Sequence, residues 1–118
     1  MTETNKELTA ALALYKAIDT KFGHDIVLMD LRELTPIADF FLIATGGSAP
    51  QLAALADVAE ETLIAHDMKL RHREGINSAN WMLLDFGSIV VHLFDKESRE
   101  YYSLERTWGD AKIIRPEN

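Results

Sequence analysis

The sequence predicts an α/β sandwich, with helices packed on a mixed five-stranded sheet. Stretches with apolar residues at helical spacing alternate with short runs rich in branched and aromatic residues, a full helix-start signal follows the second such run, and residues 81–94 read as a hairpin. With 118 residues and 47% hydrophobic content the chain closes one core, because two halves would each be too short to bury enough surface. Residues 1–118 are therefore expected to form a single domain with short flexible termini.

The first element is a helix over about residues 5–20, where Leu8, Ala11, Leu12, Tyr15 and Ile18 fall on one stripe before the Gly23 region ends it. Two strands follow, at "HDIVLMDL" and "DFFLIATGG", separated by "RELTPIA" with its Thr35 and Pro36. The second is expected at the centre of the sheet, since nothing polar interrupts residues 40–44. A second helix then starts with Ser48 as N-cap, Pro50 in the first turn and Gln51 completing a capping box, and runs to about residue 65 on a buried stripe of Leu52, Leu55, Ala56, Ala59 and Leu63. "MKLRHREG" forms a charged strand near an edge, and "INSAN" a loop. After the hairpin, Asp95 caps a last helix through about Leu104, followed by a tail with Trp108, Ile113 and Ile114.

A two-residue hairpin turn at Phe86 and Gly87 would set Trp81 across from His92 and Leu83 across from Val90, with Asp85 and Phe94 on the same face. The other face, Met82, Leu84, Ile89, Val91 and Leu93, is wholly aliphatic and reads as core. The first face mixes tryptophan, histidine, aspartate and apolar residues, the composition of an interface patch, and is expected to be partly exposed. A glycine bulge at Gly87 would instead shift the pairing by one and bury Trp81 with the aliphatic set.

Twelve Lys and Arg against 19 Asp and Glu give a net charge of −7, the wrong sign for a protein that neutralises phosphates and suited to a basic protein partner. No cysteine is present, so disulfides, thiol catalysis and cysteine zinc sites are excluded. The apolar run at residues 40–44 is too short to cross a bilayer, and "MTETNKEL" lacks a secretory signal, so a cytoplasmic protein without membrane contact is expected. The Gly47-Ser48 turn is similar to that of nucleotidyltransferases, which pair it with two carboxylates on the following strand to hold metal ions. Here that strand reads "MKLRHRE" and lacks the pair, Asp95 and Glu97 fall after a later strand, and Ser48 is accounted for as a cap. A minimal nucleotidyltransferase using Gly47-Ser48 is the alternative enzymatic reading. His24, His66, His72 and His92 are scattered without metal-ligand spacing, so no metal or cofactor is expected. "KLRHR", with Lys69, Arg71 and Arg73, suggests a minor RNA contact beside its role in guarding a sheet edge.

These stretches together resemble the ribosomal silencing factors, or Iojap-like family, over roughly residues 8–111. The resemblance lies in "DLRELTPIADFFLIATGGS", with Leu31, Thr35, Ala38, Asp39 and the Ala44-Thr45-Gly46 run, in Glu74-Gly75, in "WMLLDFGSIVVHLF" and in "ESREYYSLERTWGDA". Phe86 and Ser88 depart from the tyrosine and aspartate common at those places. The resemblance implies a homodimer with a nucleotidyltransferase-like fold lacking catalytic carboxylates. It also implies a non-enzymatic role without a small-molecule substrate: binding the large ribosomal subunit at large-subunit protein fourteen and blocking subunit joining, beside which the basic run suggests the minor ribosomal RNA contact. By matching position it assigns the contact to Trp81, Leu83, Asp85 and His92, extended by Phe94, Glu97, Arg99 and Tyr101. Trp81 would be the anchor, and Asp85 and Glu97 would meet lysine or arginine. Tyr102, Leu104 and Trp108 are expected to pack on their own sheet instead.

Overall fold

The computed structural model describes residues 5–76 and 80–116. Along them run α1 (Asn5–Thr20), β1 (His24–Asp30), β2 (Phe40–Thr45), α2 (Ala49–Ala65), β3 (His72–Ile76), β4 (Trp81–Asp85), β5 (Ile89–Phe94), α3 (Lys96–Tyr102), α4 (Leu104–Thr107) and β6 (Lys112–Ile114). The extreme termini, expected to be flexible, and the middle of the loop predicted at residues 76–80 lie outside the described residues.

The strands join in one mixed sheet of order β3-β4-β5-β2-β1-β6. β2 and β5 run parallel, while every other neighbouring pair is antiparallel. β2 takes an interior place, as its unbroken apolar run predicts, and charged β3 takes an edge. The expected five strands become six, because the tail residues Lys112–Ile114 pair with β1, setting Met29 opposite Ile113 and Leu28 opposite Ile114. Three residues are too few to show alternation. They extend because the outer edge of β1 offers backbone donors and acceptors that need partners.

α1 and α2 cover one face of this sheet. Ala10, Ala11, Leu14 and Ile18 from α1, with Leu52, Leu55, Ala56, Ala59 and Leu63 from α2, are buried against Leu28, Leu42, Leu84, Val91 and Leu93. α2 begins where its start signal places it, with the Gln51 N–H donating to Ser48 Oγ at 3.2 Å. The reciprocal bond of a capping box is displaced by one residue, since the Gln51 side-chain oxygen accepts from Gly47 N–H rather than from the cap itself. The same side chain donates to Phe22 O at 3.0 Å and so ties the start of α2 to the end of α1.

The hairpin keeps its predicted faces but not its predicted pairs. Trp81 lies opposite Phe94, Leu83 opposite His92 and Asp85 opposite Val90. The connection falls on Gly87 and Ser88, one residue later than expected, which moves every pair by two positions and leaves each side chain on its face. Phe86 is the cause: its ring is 4% exposed and belongs to the aliphatic core, so it cannot serve as a turn residue. Gly87, at φ +84°, takes the left-handed position that the turn needs.

Asp95 caps α3 as predicted, its Oδ1 accepting from Ser98 N–H at 2.8 Å. The helix does not continue through Leu104. It breaks at Ser103, where φ is +49°, and α4 follows. With the break, Tyr102, Leu104 and Trp108 all pack on the second face of the sheet, against a cluster containing Met29, Leu31, Ile43 and Phe94.

Candidate functional site

Three cross-strand rows make up the second face. One runs through Trp81, Phe94 and Thr45, the next through Glu74, Leu83, His92, Ile43 and Val27, and the third through His72, Asp85, Val90, Phe41 and Met29. The segment carrying α3 and α4 covers the β1, β2 and β5 part of these rows. Toward β4 and β3 the face opens: Trp81, Leu83, Asp85 and Val90 are half-buried, and His72 and Glu74 are exposed. The outcome is an apolar centre with carboxylates beside it, the arrangement in which protein interfaces are built.

Trp81 is held on three sides. Its ring centroid lies 4.6 Å from Tyr102 and 5.1 Å from Phe94, and its indole Nε1–H donates to His92 Nδ1 at 3.2 Å. His92 lies beneath it, 5% exposed, with Phe41 edge-on at 4.7 Å. Burial pushes its pKa down to about 4, so the ring is neutral at ordinary pH. Asp85 is oriented by its own turn, Oδ1 accepting from Gly87 N–H at 2.8 Å. His72 Nε2 and Glu74 Oε2, 2.6 Å apart, form an exposed pair on the outer strand of the same face.

The remaining expected contact residues divide. Glu97 is exposed and Tyr101 is 81% exposed; both line a hollow with Asn80, Ser98 and Tyr102 next to the Trp81 row. Phe94, at 1% exposure, is core of the second cluster and has no surface to offer, a correction to its expected role. Arg99 is also corrected: its guanidinium pairs with Glu105 at 2.7 Å and donates to Thr45 Oγ1 at 2.9 Å and to Asp25 O. It fastens α3 and α4 to the ends of β1 and β2 instead of reaching outward. Glu74 and His72 were not among the expected contacts; the pairings of Glu74 with Leu83 and of His72 with Asp85 across β3 and β4 bring them to this face.

The glycine-serine turn has a structural account. A Cβ on Gly46 would come within 2.8 Å of Leu52 Cδ2, Gly47 N–H donates to Gln51, and Ser48 Oγ accepts from Gln51 N–H. Among the described residues no group of three or more His, Asp or Glu could hold a metal ion. A cleft of about 510 Å³ at the end of β2 is lined by Asp25, Thr45, Lys96, Arg99, Glu100 and Glu105 among others, with Arg99 already paired inside it. Of the basic run, Arg73 is engaged with Glu60 at 2.8 Å and Asp57 at 3.0 Å on α2, which leaves Lys69 and Arg71 as its exposed cations.

A family profile described as "Ribosomal silencing factor during starvation" matches residues 2–118. The chain belongs to this family. It is 38% identical over 97 residues to the ribosomal silencing factor RsfS of Bacillus subtilis, covering 82% of each chain. It is also 35% identical over 110 residues to the chloroplastic protein Iojap of Arabidopsis thaliana, covering 92% of this chain and 45% of that one. Among solved structures, a crystal structure of a protein from Chromobacterium violaceum superposes with a TM-score of 0.81 at 30% identity, covering 93% of this chain and 89% of that one. Membership in the family agrees with the spaced motifs. No described helix is long and apolar enough to cross a membrane.

Proposed function

We propose that this protein represses translation by binding the large ribosomal subunit through large-subunit protein fourteen and keeping the small subunit from joining. The observation that carries the reading is the half-open second face, where Trp81, Leu83 and Val90 form an apolar centre with Asp85, Glu74 and Glu97 around it. An acidic chain of net charge −7 with such a patch suits a basic ribosomal protein. Family membership supplies the process, since the Bacillus subtilis relative is named a ribosomal silencing factor.

The mechanism is occupancy. A 13.3 kDa body seated where the subunits meet excludes the opposite subunit by volume, and a homodimer would double that bulk. No bond is made or broken, and the protein acts in the cytoplasm on a nucleotidyltransferase-like frame that has no catalytic task. Lys69 and Arg71, exposed beside the β3 edge, would supply a minor contact to ribosomal RNA.

The test is sedimentation of purified large and small ribosomal subunits under associating magnesium, with and without excess protein. Loss of the joined particle, with the protein travelling on the large subunit alone, is expected. Unchanged joining with no co-sedimentation would overturn the reading. Trp81→Ala should keep the fold and weaken binding by about 2 kcal/mol or more, since buried tryptophan anchors dominate such interfaces. That is checked by titrating the variant against purified large-subunit protein fourteen.

A further inference from the structure

His92 holds a hydrogen-bond donor that no described residue uses. The Trp81 indole N–H can only donate, so His92 Nδ1, 3.2 Å away, accepts with its lone pair. A neutral imidazole carries one proton, and with Nδ1 accepting, that proton is on Nε2. Nε2 is buried and has no hydrogen-bond partner among the described residues, in a side chain 5% exposed. Buried polar atoms nearly always find a partner, and an unmet donor at depth lowers stability, so its presence asks for an explanation.

Its position supplies one. Nε2 lies on the ring edge farthest from the backbone, and His92 stands in the row that continues through Leu83 to Glu74 on the open side of the face. Three aromatic rings stand around it: half-buried Trp81 and Phe41, with centroids 5.9 Å and 4.7 Å away, and buried Phe94, stacked at 6.3 Å. Trp81 is fixed by its bond to Nδ1 and by Tyr102 and Phe94, whereas Phe41 is half-buried, packs edge-on against His92 and Trp108, and is the ring whose turning leaves the Trp81–His92 bond intact.

We propose that His92 Nε2–H is a donor held for the docked partner, which supplies a main-chain carbonyl oxygen to it once Phe41 has turned aside. The inference rests on the reading of this face as the docking surface. The acceptor is a carbonyl rather than a carboxylate or phosphate because the ring is uncharged and Asp85 and Glu74 stand on the same face, so an anion would meet repulsion without a compensating cation. The bond adds selectivity. A protein that packs on Trp81 but presents no acceptor leaves Nε2–H sealed and unmet, and is rejected for that reason.

The test is titration of the full chain with purified large-subunit protein fourteen, comparing wild type with Trp81→Ala, His92→Asn and His92→Gln. Asparagine keeps an acceptor near the Nδ1 position and lacks the distal donor, so His92→Asn should melt close to wild type and bind at least about tenfold more weakly. Glutamine restores an N–H near the Nε2 position and should recover most of the affinity. In 15N-histidine-labelled wild type, the Nε2–H proton should move downfield on saturation. If His92→Asn binds as wild type while Trp81→Ala is weakened, the donor is irrelevant and only the docking face survives. If wild type does not bind, or Trp81→Ala binds unchanged, both readings fall. Should His92→Asn fail to fold, the wild-type resonance decides, and an unmoved Nε2–H at saturation overturns the proposal.

Discussion

The two faces of the sheet are built from alternate residues of the same strands, yet they are finished differently. On β5, Ile89, Val91 and Leu93 point under α1 and α2, while Val90, His92 and Phe94 point to the other side. The first face is sealed by helices of 16 and 17 residues and its buried members are all apolar. The second is covered by helices of 7 and 4 residues, contains a buried histidine, and stays open toward β4 and β3. A short, broken cover leaves a tryptophan at the boundary between buried and exposed surface, which is where an interface anchor works. The larger aliphatic core is thus on one face, and the surface proposed above for recognition is on the other.

The division is tested most severely by a cut in the sealed face. Leu55, fully buried in α2, loses its packing in Leu55→Ala, and the expected cost is about 2–5 kcal/mol, read from urea denaturation. The folded fraction should still bind large-subunit protein fourteen with wild-type affinity. A folded Leu55→Ala protein that binds poorly would show that the two faces are coupled and that the separation is wrong.

A second test uses pH, which the sealed face should not feel. His92 has a folded pKa near 4 against about 6.5 when unfolded, so between these values the unfolded chain binds the extra proton. The stability that this group contributes is present in full above pH 6.5 and is lost as pH falls toward 4, in total on the order of 3 kcal/mol. Denaturant melts across this window should show the slope in wild type and a flatter profile in His92→Phe. A slope unchanged by His92→Phe would mean that other groups set it.

Much of this contrast is legible before any coordinates. Alternation along residues 81–94 separates the aliphatic set from the mixed set, and because a shift of two keeps every side chain on its face, misplacing the turn by one residue did no harm to that separation. Ser48, Pro50 and Gln51 announce α2 because capping is local chemistry. What stayed hidden depends on tertiary partners. Phe86 leaves the turn because the aliphatic core takes its ring, β6 exists because β1 has a free edge, and Ser103 breaks a helix so that residues on both sides reach one cluster. Arg99 and Phe94 turned inward for the same reason. Position along a strand or helix does not say which neighbour stands above it, and Glu74 joins the face only through pairing of β3 with β4.

The smallest expected effect concerns the rim of the open face, and it separates charge from shape. Asp85→Asn keeps an oxygen to accept from Gly87 N–H, now 2.8 Å from Oδ1, so the turn should hold and stability should change by no more than about 0.5 kcal/mol. The charge is gone, however. Since rim charges steer encounter more than they strengthen the final complex, association with large-subunit protein fourteen should slow by about threefold at low salt in stopped-flow measurements, with dissociation almost unaltered. The difference should shrink as salt is raised, because screening removes the advantage that wild type had. Equal association rates at low salt would assign recognition to Trp81, Leu83 and the His92 row alone. A difference that persists at high salt would instead mean that Asp85 is desolvated in the complex and belongs to the centre of the interface, not its rim.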